Sequence, residues 1–348
     1  MRGHKVTDRS AWKGPDLASD PSWIVPFTPS ELSEIDAAID GVRKRGLELP
    51  EVNRQTFPLP RLEARLRACM TEICEGRGFV LLRGLPVSHY SDDEVGAIFW
   101  GLGIYLGAPV KQNSRGELLG HVKDYGRQHG QIDVRGYETN AHLNFHTDSG
   151  DIVGLLCLRK AKSGGLSSIV SSTAIYNEIA DAHPDCMPVL ERGFYYIRRE
   201  SAHSDKPLSP KRYPVFASTG GVVSCRYIRS QIEAAFTKTG QQIGEIEKAA
   251  LDYVDRYANS PELRLDMDLE MGDIQLINNY TTLHSRTSFE DFPEIERRRH
   301  MLRLWLTMDS RRPVPETFPH YEGYGPGLLP AASQVSQAPR VGSAAGVN

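Results

Sequence analysis

The chain has 348 residues, of which 40% are hydrophobic and 24% charged, and its formal net charge is -3. This balance is typical of a soluble globular protein, and the charge gives no reason to expect nucleic acid or an anionic membrane as partner. The chain start lacks the apolar stretch of a signal peptide, and no window approaches a membrane span. The five cysteines form no C-x-x-C pair, which argues against disulfides and a thiolate zinc site. Together these features predict a cytoplasmic protein.

The first third of the chain predicts mainly helices. Residues 1–28 are polar and predict an extended N-terminal arm. Apolar spacing and capping residues then predict helices after Ser30, over about 61–75 and over about 92–105, with a short buried strand at 79–84. The segment 108–140 is polar and rich in glycine, which predicts a long loop of the kind that often forms a lid.

From about residue 141 the pattern changes to strands. The pattern predicts strands over 152–158, 167–172, 274–278 and 301–308, and helices between them over about 174–182 and 244–258. Early helices followed by strands from distant parts of the chain favour an α+β protein with a β-sandwich or barrel core. No composition break divides residues 29–330, which predicts one domain there, and the composition of residues 331–348 predicts a disordered tail.

His146 and Asp148 stand two residues apart, where a strand end could let both bind one metal ion. His284, after the strand 274–278, would complete a facial triad of two histidines and one carboxylate. Such a triad leaves three metal positions for a bidentate co-substrate and oxygen. The His-x-Asp pattern is common by chance, however, and a surface or hydrogen-bonded histidine is the other interpretation of His146.

A strand pattern near residue 300 adds a second signal. Its residues alternate between two faces: His300, Leu302, Leu304 and Leu306 on one, Arg299, Met301, Arg303 and Trp305 on the other. If the leucines pack under helices, both arginines point into the barrel, where a buried guanidinium requires an anion. The alternative is that the arginines merely pair with Asp or Glu side chains.

In this order, His146-x-Asp148, His284 and Arg299 resemble the taurine dioxygenase and clavaminate synthase-like family of iron(II)- and 2-oxoglutarate-dependent dioxygenases. The resemblance extends from about Gly78 to Leu306 and implies a double-stranded β-helix, or jelly roll, flanked by helices. It also implies that the triad binds Fe(II) and that Arg299 pairs with the distal carboxylate of 2-oxoglutarate. Ser167, in the turn 164–167, would contact the same carboxylate.

The resemblance implies a reaction as well. With O2 and 2-oxoglutarate as co-substrates, the enzyme would hydroxylate an unactivated C–H bond of a small molecule and release succinate and CO2. Asp148 separates it from related halogenases, in which Gly or Ala replaces the carboxylate. The candidate substrate-binding residues are polar side chains of the loop and strand ends: Gln112, Asn113, Asn144, Arg226 and Arg303. Two of them are cationic, which favours a small anionic substrate.

Several alternatives remain open at this point. A desaturase or ring-modifying oxidase of the same family would use the same site, and a zinc hydrolase could use the His/Asp/His cluster to activate water. A non-catalytic sensor could retain the jelly roll, although it has no reason to keep the triad, Arg299 and Ser167 together. Leu166 stands where the family commonly has an acidic residue, which affects the turn more than the chemistry. The segment 108–140 does not match taurine dioxygenase closely, so the resemblance does not identify the substrate. A homo-oligomer is compatible with the sequence.

Overall fold

The computed structural model describes residues 5–113, 115–127, 136–198, 205–308 and 313–318. The α-helices in these ranges are α1 (Gly14–Ala18), α2 (Pro29–Arg45), α3 (Leu62–Glu75), α4 (Asp92–Gly103), α5 (Ser172–Ala182), α6 (Met187–Arg192), α7 (Arg229–Thr239) and α8 (Glu245–Ala258). Among these helices, none has the length and apolar character needed to cross a membrane.

The strands of the same ranges are β1 (Ile24–Pro26), β2 (Phe79–Arg83), β3 (Ala108–Pro109), β4 (Leu119–Val122), β5 (Leu143–His146), β6 (Ile152–Arg159), β7 (Ser163–Gly164), β8 (Ser167–Ser171), β9 (Phe216–Thr219), β10 (Val222–Cys225), β11 (Leu265–Met267), β12 (Ile274–Asn278), β13 (Thr282–Arg286), β14 (Phe289–Glu290) and β15 (His300–Thr307). The larger sheet has the order β1-β2-β12-β6-β15-β3, and β4 also pairs with β15. The smaller sheet has the order β11-β8-β13-β5, and β9–β10 and β7–β14 form two-stranded sheets.

Side chains of the two larger sheets meet in one apolar core. Val153 and Ile277 of the larger sheet lie in the same buried cluster as Ile169 and Met267 of the smaller sheet. Helices α2 to α4 cover the outer face of the larger sheet, and α5, α6 and α8 pack in the cluster beside the smaller sheet. This arrangement is a jelly roll flanked by helices, and the predicted α+β fold class is confirmed.

The side chains on the two faces of β15 lie in different environments, as the sequence predicts. Leu302, Leu304 and Leu306 lie in the cluster under the helices. Met301 and Trp305 lie in the core between the sheets. Because alternate residues of a strand point to opposite faces, Arg303 also faces the inside of the jelly roll.

The strong capping signals predict helices well, with small shifts in their ends. Helix α2 begins earlier than predicted, because Thr28 rather than Ser30 is its N-cap and forms a capping box with Glu31. Helix α4 begins after the capping box of Ser91 and Glu94, as predicted. Helices α6 and α7 were not predicted. Only two side chains of α7, Ile232 and Ala235, are buried, so its apolar stripe is too narrow to detect.

Two predicted irregular segments contain regular structure. The prediction of an extended arm is wrong over residues 14–26, which include α1 and β1 and bury Trp12, Leu17 and Trp23 in the core between the sheets. The predicted loop 108–140 contains β3, β4 and a short 3-10 turn, and the prediction for its residues 114 and 128–135 lies outside the described ranges. The predicted disordered tail, 331–348, also lies outside them.

Candidate metal centre and co-substrate site

The two histidines of the predicted triad lie opposite each other on neighbouring strands. His146 ends β5 and is the register partner of His284 in β13. Their ring centroids are 4.3 Å apart. Asp148 follows in the turn after β5, where Asn279 fixes its backbone by accepting from its N–H at 2.9 Å and donating to its carbonyl. Asn279 itself lies in the turn that joins β12 to β13.

This arrangement brings one ligand atom from each of the three side chains within 4.8 Å of the others. The Nε2 atom of His146 is 3.9 Å from Oδ1 of Asp148, and Nε2 of His284 is 3.7 Å from Oδ2. His146 Nδ1 lies 2.7 Å from the backbone carbonyl of Asn144, which can only accept a hydrogen bond. That contact places the His146 proton on Nδ1 and leaves the Nε2 lone pair for a metal ion.

The charge states of the cluster also suit a divalent cation. Burial lowers the pKa of His284 to about 3, so its imidazole is neutral near pH 7. Burial alone would raise the pKa of Asp148, but Arg303 and the two imidazoles lower that pKa to about 2. Two imidazoles and one carboxylate are the donor set of a facial iron(II) site, so these residues fit the metal that the resemblance implies.

Arg299 lies directly before β15 with only 7% of its surface exposed. Its Nη1 is buried and has no hydrogen-bond partner among the described residues. Its backbone N–H donates to Asp291 at 2.8 Å, and its guanidinium lies 5.1 Å from the ring centroid of Phe289. Burial lowers the pKa of this guanidinium. A buried cation with an unused donor is costly unless an anion binds there, so the site fits the carboxylate of a co-substrate.

The predicted turn 164–167 lies against this arginine. Gly165 has φ +74°, and a Cβ added to it would come within 3.3 Å of Arg299 Nε. Ser167, which follows in β8, is 7% exposed and accepts a hydrogen bond from Gln275 Nε2 at 3.2 Å. The oxygen of the Gln275 amide has no partner among the described residues. The turn at Gly165 therefore contacts Arg299 and leads directly into Ser167.

Known proteins that resemble this chain are iron-dependent oxygenases of the class that the site predicts. The model of the taurine catabolism dioxygenase TauD, TfdA family matches residues 45–305. FR-33289 synthase of Streptomyces rubellomurinus is 32% identical over 317 residues, which cover 89% of this chain and 92% of that protein. The chain belongs to this family. The taurine hydroxylase-like protein SAT17 of Stachybotrys chartarum is 30% identical over 317 residues, with coverage of 88% and 80%.

Solved structures show the same fold at lower identity. Asparagine oxygenase in complex with Fe(II), 3-hydroxyasparagine and succinate has a TM-score of 0.64 at 17% identity, covering 82% of this chain and 93% of that one. The non-heme iron oxygenase OrfP, in complex with Fe, succinate and hydroxyarginine, has a TM-score of 0.62 at 15% identity, covering 84% and 98%. Family membership confirms the predicted class, a hydroxylating oxygenase that uses iron(II) and 2-oxoglutarate.

The candidate substrate residues of this TauD-family chain are distributed unevenly around the metal centre. Arg303 Nη1 lies 3.3 Å from Asp148 Oδ2, and Arg303 Nε donates to Gln112 Oε1 at 2.8 Å. Arg226 lines a cavity that also contains Asp148. Asn113 instead bonds within its own turn to residues 115 and 117, and the side chain of Asn144 is exposed. The structure thus brings Arg303, Gln112 and Arg226 to the site, while Asn113 lies in a separate turn.

Some residues of the site were not singled out from the sequence. Arg286 is 6% exposed, donates to the carbonyls of Thr139 and Ala141, and keeps Nη1 without a partner among the described residues. Burial, and then the nearby Arg299 cation, lower the pKa of Arg286 to about 9. Its position two residues after His284, on the same strand face, was the available signal. The role of Gln275 could not be predicted in this way, because in the sequence it is a single polar residue within an apolar strand.

Proposed function

We propose that this oxygenase hydroxylates a C–H bond of a small anionic molecule, with His146, Asp148 and His284 as iron ligands and Arg299 as the 2-oxoglutarate anchor. The observation that carries the proposal is the buried Nη1 of Arg299, which has no hydrogen-bond partner among the described residues, in the same jelly roll as a complete His/Asp/His cluster. A zinc hydrolase has no use for that buried cation, whereas a dicarboxylate co-substrate satisfies it.

Each group of the chain has a defined part in this proposal. When bound, iron(II) and 2-oxoglutarate would activate O2, so that one oxygen atom enters the substrate C–H bond and the other enters succinate, with release of CO2. Arg299 donates from Nη1 to the distal carboxylate. Because Gln275 already donates to Ser167 Oγ, the hydroxyl proton of Ser167 remains available for the same carboxylate.

The substrate pocket is proposed to include a small cavity, of about 200 Å³, that Asp148, Arg226 and Phe318 line. Arg226 is half-buried, and its guanidinium lies over the rings of Tyr196 and Tyr213, at 5.3 Å and 5.8 Å from their centroids. Its Nε is buried without a hydrogen-bond partner among the described residues. Arg303 already contacts Asp148, so Arg226 is the better candidate for the anionic group of the substrate.

We also propose a cytoplasmic location. Each of the five cysteines is buried and free, which suits a reducing compartment.

Anaerobic addition of iron(II) and 2-oxoglutarate tests the metal and co-substrate assignment. The wild-type protein should develop the visible charge-transfer band of the chelate. Arg299→Gln should raise the 2-oxoglutarate concentration for half-maximal absorbance about 100-fold, because it removes the charge that pairs with the distal carboxylate. The matched control is Arg298→Gln, which alters an exposed neighbouring arginine and should leave the titration unchanged. A wild-type protein that gives no band contradicts the proposal.

Succinate formation tests the substrate assignment. Panels of carboxylates, sulfonates, phosphonates and neutral analogues should show strong coupling only for anionic compounds. Arg226→Gln should raise KM for the best anion about 100-fold. Arg212→Gln is the control, since Arg212 also lies over a tyrosine ring, at 5.4 Å from the centroid of Tyr195, and does not line the cavity. Coupling restricted to neutral compounds contradicts an anionic substrate.

A further inference from the structure

The tryptophans of this chain differ in what their indole N–H groups contact. The sequence has four of them. Three donate to backbone carbonyls: Trp12 to Arg77 at 2.8 Å, Trp23 to Leu17 at 2.9 Å and Trp100 to Val52 at 2.9 Å. Trp305 instead donates to a carboxylate, at 2.9 Å from Oδ2 of Asp148. A buried indole N–H usually bonds to any nearby acceptor. Here the acceptor is the proposed iron ligand Asp148, which connects Trp305 to the metal centre.

The two oxygens of Asp148 have different surroundings. Oδ2 accepts from Trp305, lies 3.3 Å from Arg303 Nη1 and lies 3.7 Å from Nε2 of His284. No donor among the described residues bonds to Oδ1, which lies 3.9 Å from Nε2 of His146. A carboxylate on a single Cβ otherwise rotates through a broad range, because its terminal torsion has only weak preferences. Two donors on the same oxygen fix the plane of this carboxylate.

Trp305 is held in place by the packing around it. It is 4% exposed and lies in the core between the two sheets. A Cβ added to Gly150 would come within 2.9 Å of Trp305 Cβ, so the chain just after Asp148 packs directly on this residue. The Arg303 guanidinium lies 4.3 Å from the Trp305 ring centroid on β15. The indole N–H thus reaches Asp148 from a rigid strand.

We infer that Trp305 is a positioning residue: its N–H, together with Arg303, holds Oδ2 of Asp148 so that the carboxylate binds iron through Oδ1 alone. The inference rests on the proposed role of Asp148 as a ligand. A carboxylate that used both oxygens would occupy a further metal position, and the bidentate co-substrate and oxygen need three. Arg303 donates to Oδ2 as a cation, whereas Trp305 donates a neutral hydrogen bond that orients the carboxylate without changing the charge of the site.

Trp305→Phe tests the inference, because it removes the N–H and retains an aromatic ring. Anaerobic titration with iron(II) should show 10- to 100-fold weaker binding, the typical cost of losing an outer-shell partner of a ligand. The visible band of the iron–2-oxoglutarate chelate should also shift in wavelength, because the coordination of the carboxylate changes. Trp23→Phe is the matched control, since Trp23 lies in the same core cluster and loses a hydrogen bond to a backbone carbonyl.

The outcomes separate this inference from the proposed function. Equal iron affinity and an unshifted band in Trp305→Phe and Trp23→Phe overturn the role of Trp305, provided that the wild type binds iron. A wild type that binds no iron overturns the proposed function itself. If Trp305→Phe does not fold, benzothienylalanine at position 305 keeps the shape of the side chain and replaces only the N–H by sulfur. The same loss of iron affinity is expected, and wild-type affinity overturns the inference.

Discussion

His146 and His284 face each other across the antiparallel pair of β5 and β13, and the register between these strands sets the geometry of the metal centre. The pairing is irregular just beyond this point, between His284 and Arg286. A slip of one residue would turn His284 to the opposite face of the sheet. Two contacts hold this register: Asn279, in the turn between β12 and β13, bonds to the backbone of Asp148, and β13 also pairs with β8. The geometry of the site therefore depends on the whole sheet.

Asp148→Ala is expected to abolish hydroxylation and to weaken iron(II) binding by at least about 100-fold, since even outer-shell changes cost 10- to 100-fold. Anaerobic iron titration and succinate assays measure the two effects. Asp268→Ala is the control, because Asp268 is exposed and pairs only with Lys160 among the described residues. Normal turnover in Asp148→Ala would remove Asp148 from the ligand set.

The clustering of the triad side chains and the burial of Arg299 could be predicted from the sequence, because a motif with ordered spacing needs no knowledge of strand pairing. The partners of Arg303 could not be predicted in this way. Arg303 meets Gln112 only because β4 pairs with β15, which places Gly120 opposite Arg303 and leaves room for the Gln112 side chain. Phe318 also lines the cavity, but it lies beyond residue 305, where the match to the family model ends. No local sequence pattern there indicates which residues it contacts.

Phe318→Ala is expected to change substrate selection. Phe318 is 2% exposed, stacks on Tyr280 at 6.0 Å between ring centroids, and lines the cavity beside Asp148. Its loss should raise KM for the best small anion about tenfold, corresponding to about 1–2 kcal/mol of apolar contact, and admit bulkier compounds. The affinity for 2-oxoglutarate should not change.

Succinate formation across a series of anions of increasing size measures the effect of Phe318→Ala. Phe236→Ala is the comparison, because Phe236 is half-buried and packs edge-on against Phe194 away from the cavity. The same size profile and KM in both variants would exclude Phe318 from the substrate pocket.

A pair of histidines outside the metal centre predicts a dependence of stability on pH. His300 Nδ1 lies 2.9 Å from Arg159 Nη2, which can only donate, so Nδ1 is the acceptor. The proton of neutral His300 is therefore on Nε2, which lies 2.9 Å from His121 Nδ1. Burial, followed by His121 and Arg159, lowers the pKa of His300 from 6.5 to about 4. Protonation of His300 would place a cation against a guanidinium.

Because the folded state has the lower pKa, the unfolded chain binds more protons below about pH 6.5, and His300 costs stability as the pH falls from there toward 4. At pH 5 the loss is on the order of 1–2 kcal/mol. Chemical denaturation at pH 7.5 and pH 5 should show a smaller drop in His300→Gln than in the wild type. His89→Gln, at an exposed histidine, should behave like the wild type. Parallel losses in all three proteins would contradict the assignment.

Gly165→Ala should selectively impair the co-substrate site. The new Cβ would come within 3.3 Å of Arg299 Nε and would also require an L residue at φ +74°. Gly221→Ala is a matched control, because Gly221 has φ +81° and open space around the position of a Cβ. Both variants should lose roughly 1 kcal/mol of unfolding free energy from the backbone conformation. Only Gly165→Ala should also raise the 2-oxoglutarate concentration needed for the charge-transfer band, by about tenfold, because the added methyl group displaces the Arg299 guanidinium. Equal 2-oxoglutarate affinity in the two variants would show that the turn does not support Arg299.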